Sequence, residues 1–148
     1  MKSDMVGRPM EIALIEDSLL QARLTIEALR RGEIHHRMTL LRDGEEALAF
    51  LFRRGIFARA PTPDLILLDL RLPKVDGLDV LERVKGSRDL RRVPVVITTS
   101  SQDELDRLRC QALDVEAYVT KPIDLEKFLT LVRELKRFWR DDVILPNV

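Results

Sequence analysis

The fold class is decided by one stretch of sequence, Leu65-Ile66-Leu67-Leu68-Asp69-Leu70-Arg71-Leu72-Pro73. Its first four residues are aliphatic, and such a short uninterrupted apolar run is typical of a strand that is buried on both faces. Similar runs occupy residues 12–15 and 95–97, and weaker ones occupy residues 38–41 and 117–120. The sequence therefore predicts five strands that belong to a parallel sheet.

Helical segments follow these runs, and their starts carry residues that cap helices. The capping segments begin at Ser18 and Asp43 and span Ser101-Gln102-Asp103-Glu104, while Asp76 and Asp124 precede the third and fifth helices. The helical spacing places apolar side chains on one face of the first and fourth helices, namely Leu20, Leu24 and Ala28, and Leu105, Leu108 and Ala112. Strict alternation of strand and helix predicts an α/β protein, one domain whose parallel sheet has helices on both faces.

Composition excludes several classes of protein. Of the 148 residues, 25 are Lys or Arg and 25 are Asp or Glu, so the chain lacks the basic surplus on which nucleic-acid binding rests. No apolar run approaches the ~20 residues of a membrane span, and no signal peptide is recognisable. Cys110 is the only cysteine, and we expect it to be a packing residue. These features predict a cytoplasmic protein that binds neither nucleic acid nor membranes.

Polar residues follow the predicted strands at the points where ligands bind in open parallel sheets. Glu16 and Asp17 follow the first strand, and Asp69 follows the third. The fourth strand ends at Thr98-Thr99-Ser100, and the fifth is followed by Lys121-Pro122. Each feature alone has an ordinary explanation, such as charge at a helix start or a polar strand end. Their joint placement indicates one functional site.

Three carboxylates at one edge of a sheet require a compensating charge. Two like charges 4 Å apart repel by about 4 kcal/mol at an effective dielectric constant near 20. Carboxylate oxygens with open coordination positions suit Mg²⁺, which commonly binds through one or two carboxylates together with water and phosphate oxygens. A lysine opposite them can neutralise an incoming anion. We therefore expect a site for Mg²⁺ and a phosphoryl group.

In these segments the sequence resembles the receiver domain of two-component response regulators, the chemotaxis-regulator type. The resemblance covers residues 10–140, with residues 1–9 as a flexible leader and 141–148 as a C-terminal tail. It rests on Ile15-Glu16-Asp17, Leu67-Leu68-Asp69-Leu70-Arg71-Leu72-Pro73, Asp76-Gly77, Val96-Ile97-Thr98-Thr99-Ser100-Ser101 and Ala117-Tyr118-Val119-Thr120-Lys121-Pro122. It implies a flavodoxin-like fold, a five-stranded parallel sheet in the order 2-1-3-4-5.

Two further features add a second likeness. One is a long loop over residues 53–63, and the other is the Phe138-Trp139 pair near the C-terminus with the apolar tail that follows it. They are similar to stand-alone regulators that pair with bacterial and cyanobacterial phytochromes. The family often has a glycine before the residue that corresponds to Tyr118, whereas Asp114 stands four residues upstream of it here. Because Asp tolerates a left-handed backbone better than most residues, we expect little consequence.

The resemblance also implies roles for individual residues. Asp69 would accept the phosphoryl group, with Lys121 pairing with the phosphoryl oxygens. Mg²⁺ would be held by Asp17, Asp69 and the backbone carbonyl of Arg71, and by Glu16 through a water molecule. The switch pair would be Thr99 and Tyr118, and Pro122, after a cis peptide bond, would position the lysine loop.

The final helix carries an apolar arc that is wider than one core stripe. Leu131 and Phe138 extend the stripe sideways, which fits either a deeply packed helix or a dimer face. The resemblance favours a homodimer through the fourth helix, the fifth strand, the fifth helix and the tail.

The sequence thus predicts a single-domain response regulator rather than an enzyme with a free substrate. A sensor histidine kinase, of the bacteriophytochrome type, would phosphorylate it, and its output would be a protein contact. One alternative is a receiver-like adaptor that works without phosphorylation. The other is an aspartate-dependent phosphohydrolase, although Arg71 stands where such enzymes have a second aspartate.

Overall fold

The computed structural model describes residues 9–32, 35–100, 102–121 and 123–134. The predicted leader, apart from Pro9, and the predicted tail lie outside these ranges. The described residues form five strands, β1 Met10–Ile15, β2 His36–Leu41, β3 Leu65–Leu68, β4 Val95–Thr99 and β5 Ala117–Thr120. They also form five α-helices, α1 Leu19–Arg31, α2 Gly44–Leu51, α3 Gly77–Lys85, α4 Glu104–Ala112 and α5 Leu125–Glu134, and a 3₁₀ turn at Gly55–Phe57.

All strand pairs are parallel, and the sheet has the order β2-β1-β3-β4-β5. This order confirms the predicted flavodoxin-like α/β fold. Ile15 is in register with Leu68, and Leu68 with Ile97, so the three central strands end at nearly the same level. The residues that follow these strands are consequently brought to one edge of the sheet.

Alternate strand residues face two separate apolar clusters, one on each side of the sheet. Ile66 and Leu68 of β3 pack with side chains from α2, α3 and α4. Leu65 and Leu67 pack on the opposite side with side chains from α1 and α5. The four residues of β3 are each at most 1% exposed. This burial on both faces is why the strand lacks the polar alternation of a half-exposed one.

Helix starts follow the capping residues that the sequence indicates. The Ser18 hydroxyl accepts from the Gln21 backbone N–H at 3.2 Å, and the Asp43 carboxylate accepts from that of Glu46 at 2.7 Å. In α4 the cap is Asp103, whose carboxylate accepts from Leu105 N–H at 2.9 Å. Each of these bonds satisfies a backbone donor that has no partner within the helix.

The apolar stripes that the sequence marks on α1 and α4 do not face the core. On α1, Leu20 and Leu24 are 66% and 55% exposed, while Ala22 and Leu29 are buried. On α4, Leu105 and Leu108 are 69% and 50% exposed, while Asp106 and Cys110 are the buried residues of the helix. Helical spacing identifies residues that share a face, but it does not determine which face meets the sheet.

The predicted long loop after α2 contains the 3₁₀ turn, and Phe57 packs edge-on against Phe50 with ring centroids 5.4 Å apart. Asp114, between α4 and β5, has a φ of 59°, so it adopts the left-handed conformation expected there. Within the described ranges, no helix has the length and apolar content needed to cross a bilayer.

Candidate functional site

Glu16, Asp17 and Asp69 meet at the carboxyl edge of the sheet. One carboxylate oxygen from each lies within 4.8 Å of the others. Glu16 and Asp69 are buried, at 2% and 6% exposure, and Asp17 is the most exposed of the three. The structure therefore brings together the acidic residues that the sequence placed after β1 and β3.

Backbone hydrogen bonds continue past the strand ends and position these carboxylates. The Glu16 N–H donates to the Leu41 carbonyl at 2.9 Å, and the Asp69 N–H donates to the Ile15 carbonyl at 3.0 Å. Glu16 and Asp69 are thus each anchored by their own main chain to a neighbouring strand. The side chains project from a rigid sheet edge rather than from a free loop.

Lys121 supplies positive charge to the same site from the end of β5. Its backbone N–H donates to the Thr99 carbonyl at 2.8 Å, which ties the residue to the end of β4. Its Nζ lies 2.5 Å from Glu16 Oε1 and 3.4 Å from Asp69 Oδ2. The lysine side chain is only 9% exposed, so these charges interact largely away from solvent.

Burial raises the pKa of Glu16 above its ordinary value of 4.5, chiefly because the charged form loses solvation. The hydrogen bond and charge of Lys121 oppose this rise in pKa, whereas the Asp69 charge adds to it. Within the described residues, three carboxylates thus face one ammonium group. Their oxygens are the donors that hard divalent cations prefer, and such a cation would compensate the remaining negative charge.

The loop after Asp69 is held close to the site by two glycines. The Gly77 N–H donates to the Leu70 carbonyl at 2.9 Å, and a Cβ at Gly77 would lie only 2.4 Å from the Asp69 carbonyl oxygen. The Gly44 N–H donates to the Pro73 carbonyl at 3.1 Å, and a Cβ there would lie 1.8 Å from the Val75 carbonyl oxygen. The starts of α2 and α3 can approach the loop only because both residues lack a side chain.

Arg71 has a side-chain role that nothing in the sequence indicates. Its backbone N–H donates to Asp69 Oδ1 at 3.2 Å, and its guanidinium forms a salt bridge with the buried Asp106 of α4. An acidic residue between leucines on a helix has the pattern of a solvent-exposed position. No signal in the sequence therefore distinguished Asp106 from the other acidic residues of α4.

Thr99 and Tyr118 lie on the adjacent strands β4 and β5. Thr99 is completely buried at the end of β4, and Thr98 beside it is 2% exposed. Tyr118 is half-buried, and the Arg107 guanidinium lies 5.6 Å from the centre of its ring. Leu131 is half-buried against the cluster formed with α1 and α5. Pro122 and Phe138 lie outside the described residues.

The fold is a parallel α/β sheet, and at the end of its central strand an aspartate lies beside two acidic residues and a lysine, an arrangement that suits a cation and an anion. The chain belongs to the response regulator receiver domain family, whose model matches residues 12–133. The match confirms the family resemblance. The chain is therefore a response regulator of phosphorelay signalling, and its family implies a histidine kinase as partner.

Two cyanobacterial response regulators match this chain over nearly their whole length. Response regulator Rcp1 of Synechocystis sp. (strain ATCC 27184 / PCC 6803 / Kazusa) is 42% identical over 144 residues, which cover 97% of this chain and 98% of Rcp1. The Mn²⁺-bound structure of Rcp1 has a TM-score of 0.77 and covers 94% of this chain and 100% of that one. The phosphorylated cyanobacterial phytochrome response regulator RcpA is 40% identical, with a TM-score of 0.77 and coverages of 94% and 99%.

The bacteriophytochrome response regulator RtBRR is 42% identical, with a TM-score of 0.79 and coverages of 89% of this chain and 81% of that chain. The predicted likeness to phytochrome response regulators is thus confirmed.

Proposed function

We propose that this chain accepts a phosphoryl group on Asp69 from a phosphohistidine of a sensor kinase, in a Mg²⁺-dependent reaction, and thereby switches a protein-interaction surface. The observation that carries the proposal is the buried Asp69 carboxylate, with Lys121 Nζ 3.4 Å away and two further carboxylates within 4.8 Å. The chain would modify itself and lose the phosphate to water. It would turn over no free substrate as an enzyme does.

The donor set fits Mg²⁺. We assign Asp17, Asp69 and the Arg71 carbonyl as direct ligands and Glu16 as the holder of a metal-bound water. The convergence of the three carboxylates supports this assignment, as does the Arg71 N–H bond to Asp69, since it brings the Arg71 main chain close to the Asp69 carboxylate. The cation would supply positive charge that offsets the charge of the phosphoryl oxygens.

The chain's own residues provide the nucleophile and the positioning. An oxygen of Asp69 attacks phosphorus and forms a P–O bond, while the P–N bond to the kinase histidine breaks and its electron pair stays on the imidazole. Lys121 would turn from Glu16 toward the incoming phosphoryl oxygens, since its Nζ is already within 3.4 Å of Asp69. Asp69 and Lys121 are buried, so water screens the attraction between their charges only weakly and has limited access to the reacting atoms.

Thr99 and Tyr118 form the proposed switch, with Pro122 setting the lysine loop. The Thr99 hydroxyl would bond the phosphoryl group, and Tyr118 would then move inward. The Lys121 N–H bond to the Thr99 carbonyl supports this pairing, because it connects the lysine loop to the end of β4. The inward movement of Tyr118 would have to break its contact with Arg107.

The interaction surface is proposed to be a homodimer face formed by α4, β5, α5 and the tail, including Leu131 and Phe138. The exposed Leu105 and Leu108 of α4 support it, since adjacent exposed leucines favour burial against a partner. We further propose a cytoplasmic protein with a receiver over residues 10–140, a leader over 1–9 and a tail over 141–148. The proposed kinase is of the bacteriophytochrome type, on the likeness to RcpA and RtBRR.

One experiment tests the phosphoacceptor. The chain is incubated with acetyl phosphate or beryllofluoride in the presence and absence of Mg²⁺, and the adduct is detected by mass spectrometry. We expect an adduct that requires Mg²⁺ and disappears in Asp69→Asn, while Asp89→Asn, on the loop after α3, behaves as wild type. Labelling that persists in Asp69→Asn contradicts the mechanism. Absence of any adduct favours the adaptor, and multiple turnover of small phosphate esters favours the phosphohydrolase.

A further inference from the structure

The Arg71 side chain connects the loop that follows Asp69 to helix α4. Its guanidinium is paired with the Asp106 carboxylate, 35 residues further along the chain, and lies 4.0 Å from Asp76. Its backbone N–H donates to Asp69 Oδ1 at 3.2 Å. Arg71 therefore contacts both the proposed phosphoacceptor and a helix of the proposed interaction surface.

Asp106 occupies a buried position on α4, and buried positions on a helix are usually apolar. Its side chain is 8% exposed, whereas Leu105 and Leu108 on the same helix are 69% and 50% exposed. A buried carboxylate destabilises a fold unless it is paired, and an apolar side chain of similar size would avoid that cost. The salt bridge with Arg71 supplies a positive charge that compensates the burial of the Asp106 carboxylate. Packing alone therefore does not explain why position 106 carries an aspartate.

We propose that Asp106 is a positioning residue for the phosphotransfer site. By holding the Arg71 guanidinium, it keeps the Arg71 main chain where the N–H orients the Asp69 carboxylate and the carbonyl faces the cation. The inference rests on the proposed function, because it assumes that Asp69 and the Arg71 carbonyl bind the cation. The competing explanation is that the pair only anchors α4 to the domain.

The pair also makes the position of α4 and the geometry of the site interdependent. If a partner that binds α4 separates Asp106 from Arg71, it must weaken cation binding, and the cation must weaken that partner by the same factor. This connection runs through a salt bridge and one backbone hydrogen bond. It is separate from the proposed movement of Thr99 and Tyr118.

The test compares Asp106→Asn, Arg71→Met and the double variant with Glu82→Gln, which removes a different ion pair of α4, that between Glu82 and Arg109 at 3.2 Å. Calorimetry gives the dissociation constant for Mg²⁺, and hydrogen exchange without Mg²⁺ follows the amides of residues 70–72. We expect each single variant to bind Mg²⁺ about tenfold or more weakly, as loss of an outer partner of a ligand commonly does. Exchange at 70–72 should be faster in both.

The double variant should bind Mg²⁺ no more weakly than whichever single variant binds it less tightly, because the two substitutions remove the same salt bridge. At saturating Mg²⁺, labelling by acetyl phosphate should approach the wild-type rate, and Asp106→Glu should partly restore the affinity. The positioning role is wrong if the wild type is labelled by acetyl phosphate while Asp106→Asn and Arg71→Met both bind Mg²⁺ with wild-type affinity and show wild-type hydrogen exchange at residues 70–72. If Asp106→Asn does not fold, Arg71→Met decides, since the Arg71 side chain is 52% exposed. A wild type that fails to label refutes the proposed function instead.

Discussion

The Nζ of Lys121 lies 2.5 Å from Oε1 of Glu16, closer than it lies to any oxygen of Asp69. Without a phosphoryl group, the lysine thus compensates the buried neighbour of the proposed phosphoacceptor. Glu16 therefore holds the ammonium group within reach of Asp69.

Replacing Lys121 by Met should slow labelling by acetyl phosphate roughly ten- to hundredfold, because a preorganised positive group at the reacting centre is lost. Lys121→Arg should keep part of the rate, since the charge remains. Lys127→Met, on the exposed side of α5, is the matched control and should label as wild type. Wild-type labelling by Lys121→Met would remove the lysine from the mechanism.

Mg²⁺ binding should weaken as the pH falls, and Glu16 should contribute to the weakening. Burial raises its pKa above 4.5, so a proton competes with the cation at mildly acidic pH, where an exposed Glu would still be ionised. At mildly acidic pH, calorimetry in two buffers of different ionisation enthalpy should show proton release on Mg²⁺ binding. In Glu16→Gln, affinity at neutral pH should be lower and the release smaller; an unchanged release would contradict the assignment.

Alkaline pH should destabilise the fold through Cys110. Its pKa is raised by burial to about 11 from an ordinary value of 9.0, so the unfolded chain loses the thiol proton first. Because the folded pKa is the higher one, this contribution to stability is complete below pH 9.0 and is lost as the pH rises towards about 11. The free energy of unfolding should fall by roughly 1 to 3 kcal/mol over that range. Urea unfolding of Cys110→Ala should lack this part of the slope, whatever its stability at neutral pH.

The two ends of α3 should respond differently to an added methyl group. Gly77→Ala would place its Cβ 2.4 Å from the Asp69 carbonyl oxygen, and we expect a loss of about 2 kcal/mol or more with weaker Mg²⁺ binding. Gly86→Ala, whose Cβ would be 3.3 Å from the Glu82 carbonyl oxygen at a φ of −83°, should stay within about 1 kcal/mol of wild type. Thermal unfolding and calorimetry measure both effects; equal behaviour of the two variants would argue against the close approach.

The exposed leucines of α4 should support self-association. Leu105→Arg together with Leu108→Arg should lower the sedimentation coefficient at high protein concentration, because a charged surface replaces an apolar one. Leu24→Arg is the control, since Leu24 is 55% exposed on α1, outside the proposed face. A wild type that sediments only as a 17.1 kDa monomer, phosphorylated or not, would exclude the homodimer.

The central strands and the acidic edge could be predicted because their residues carry strong local signals. Leu65–Leu68 is apolar throughout since both faces are buried, and parallel strands bring Glu16 and Asp69 to one edge whatever their distance in sequence. The edge strand β2 begins at His36, two residues before the predicted run, because its exposed positions accept polar side chains.

Other features depend on tertiary packing that no local pattern records. Helical spacing predicts which leucines of α1 and α4 share a face, but the sheet meets the neighbouring faces, as exposed Leu20 and buried Ala22 show. The Arg71–Asp106 pair joins residues 35 apart, and only the position of α4 beside the β3–α3 loop makes that contact.

The burial of Lys121, Glu16 and Asp69 has a consequence for ionic strength. At 0.15 M salt, charges in solvent are screened over about 8 Å, which weakens surface pairs such as Arg30–Glu27, whose side chains are 74% and 40% exposed. The side chains of Lys121, Glu16 and Asp69 are at most 9% exposed, so monovalent ions screen these charges much less than they screen surface pairs. Monovalent salt should therefore leave this charge arrangement nearly intact, and the site would respond to the valence of an ion rather than to the total salt concentration.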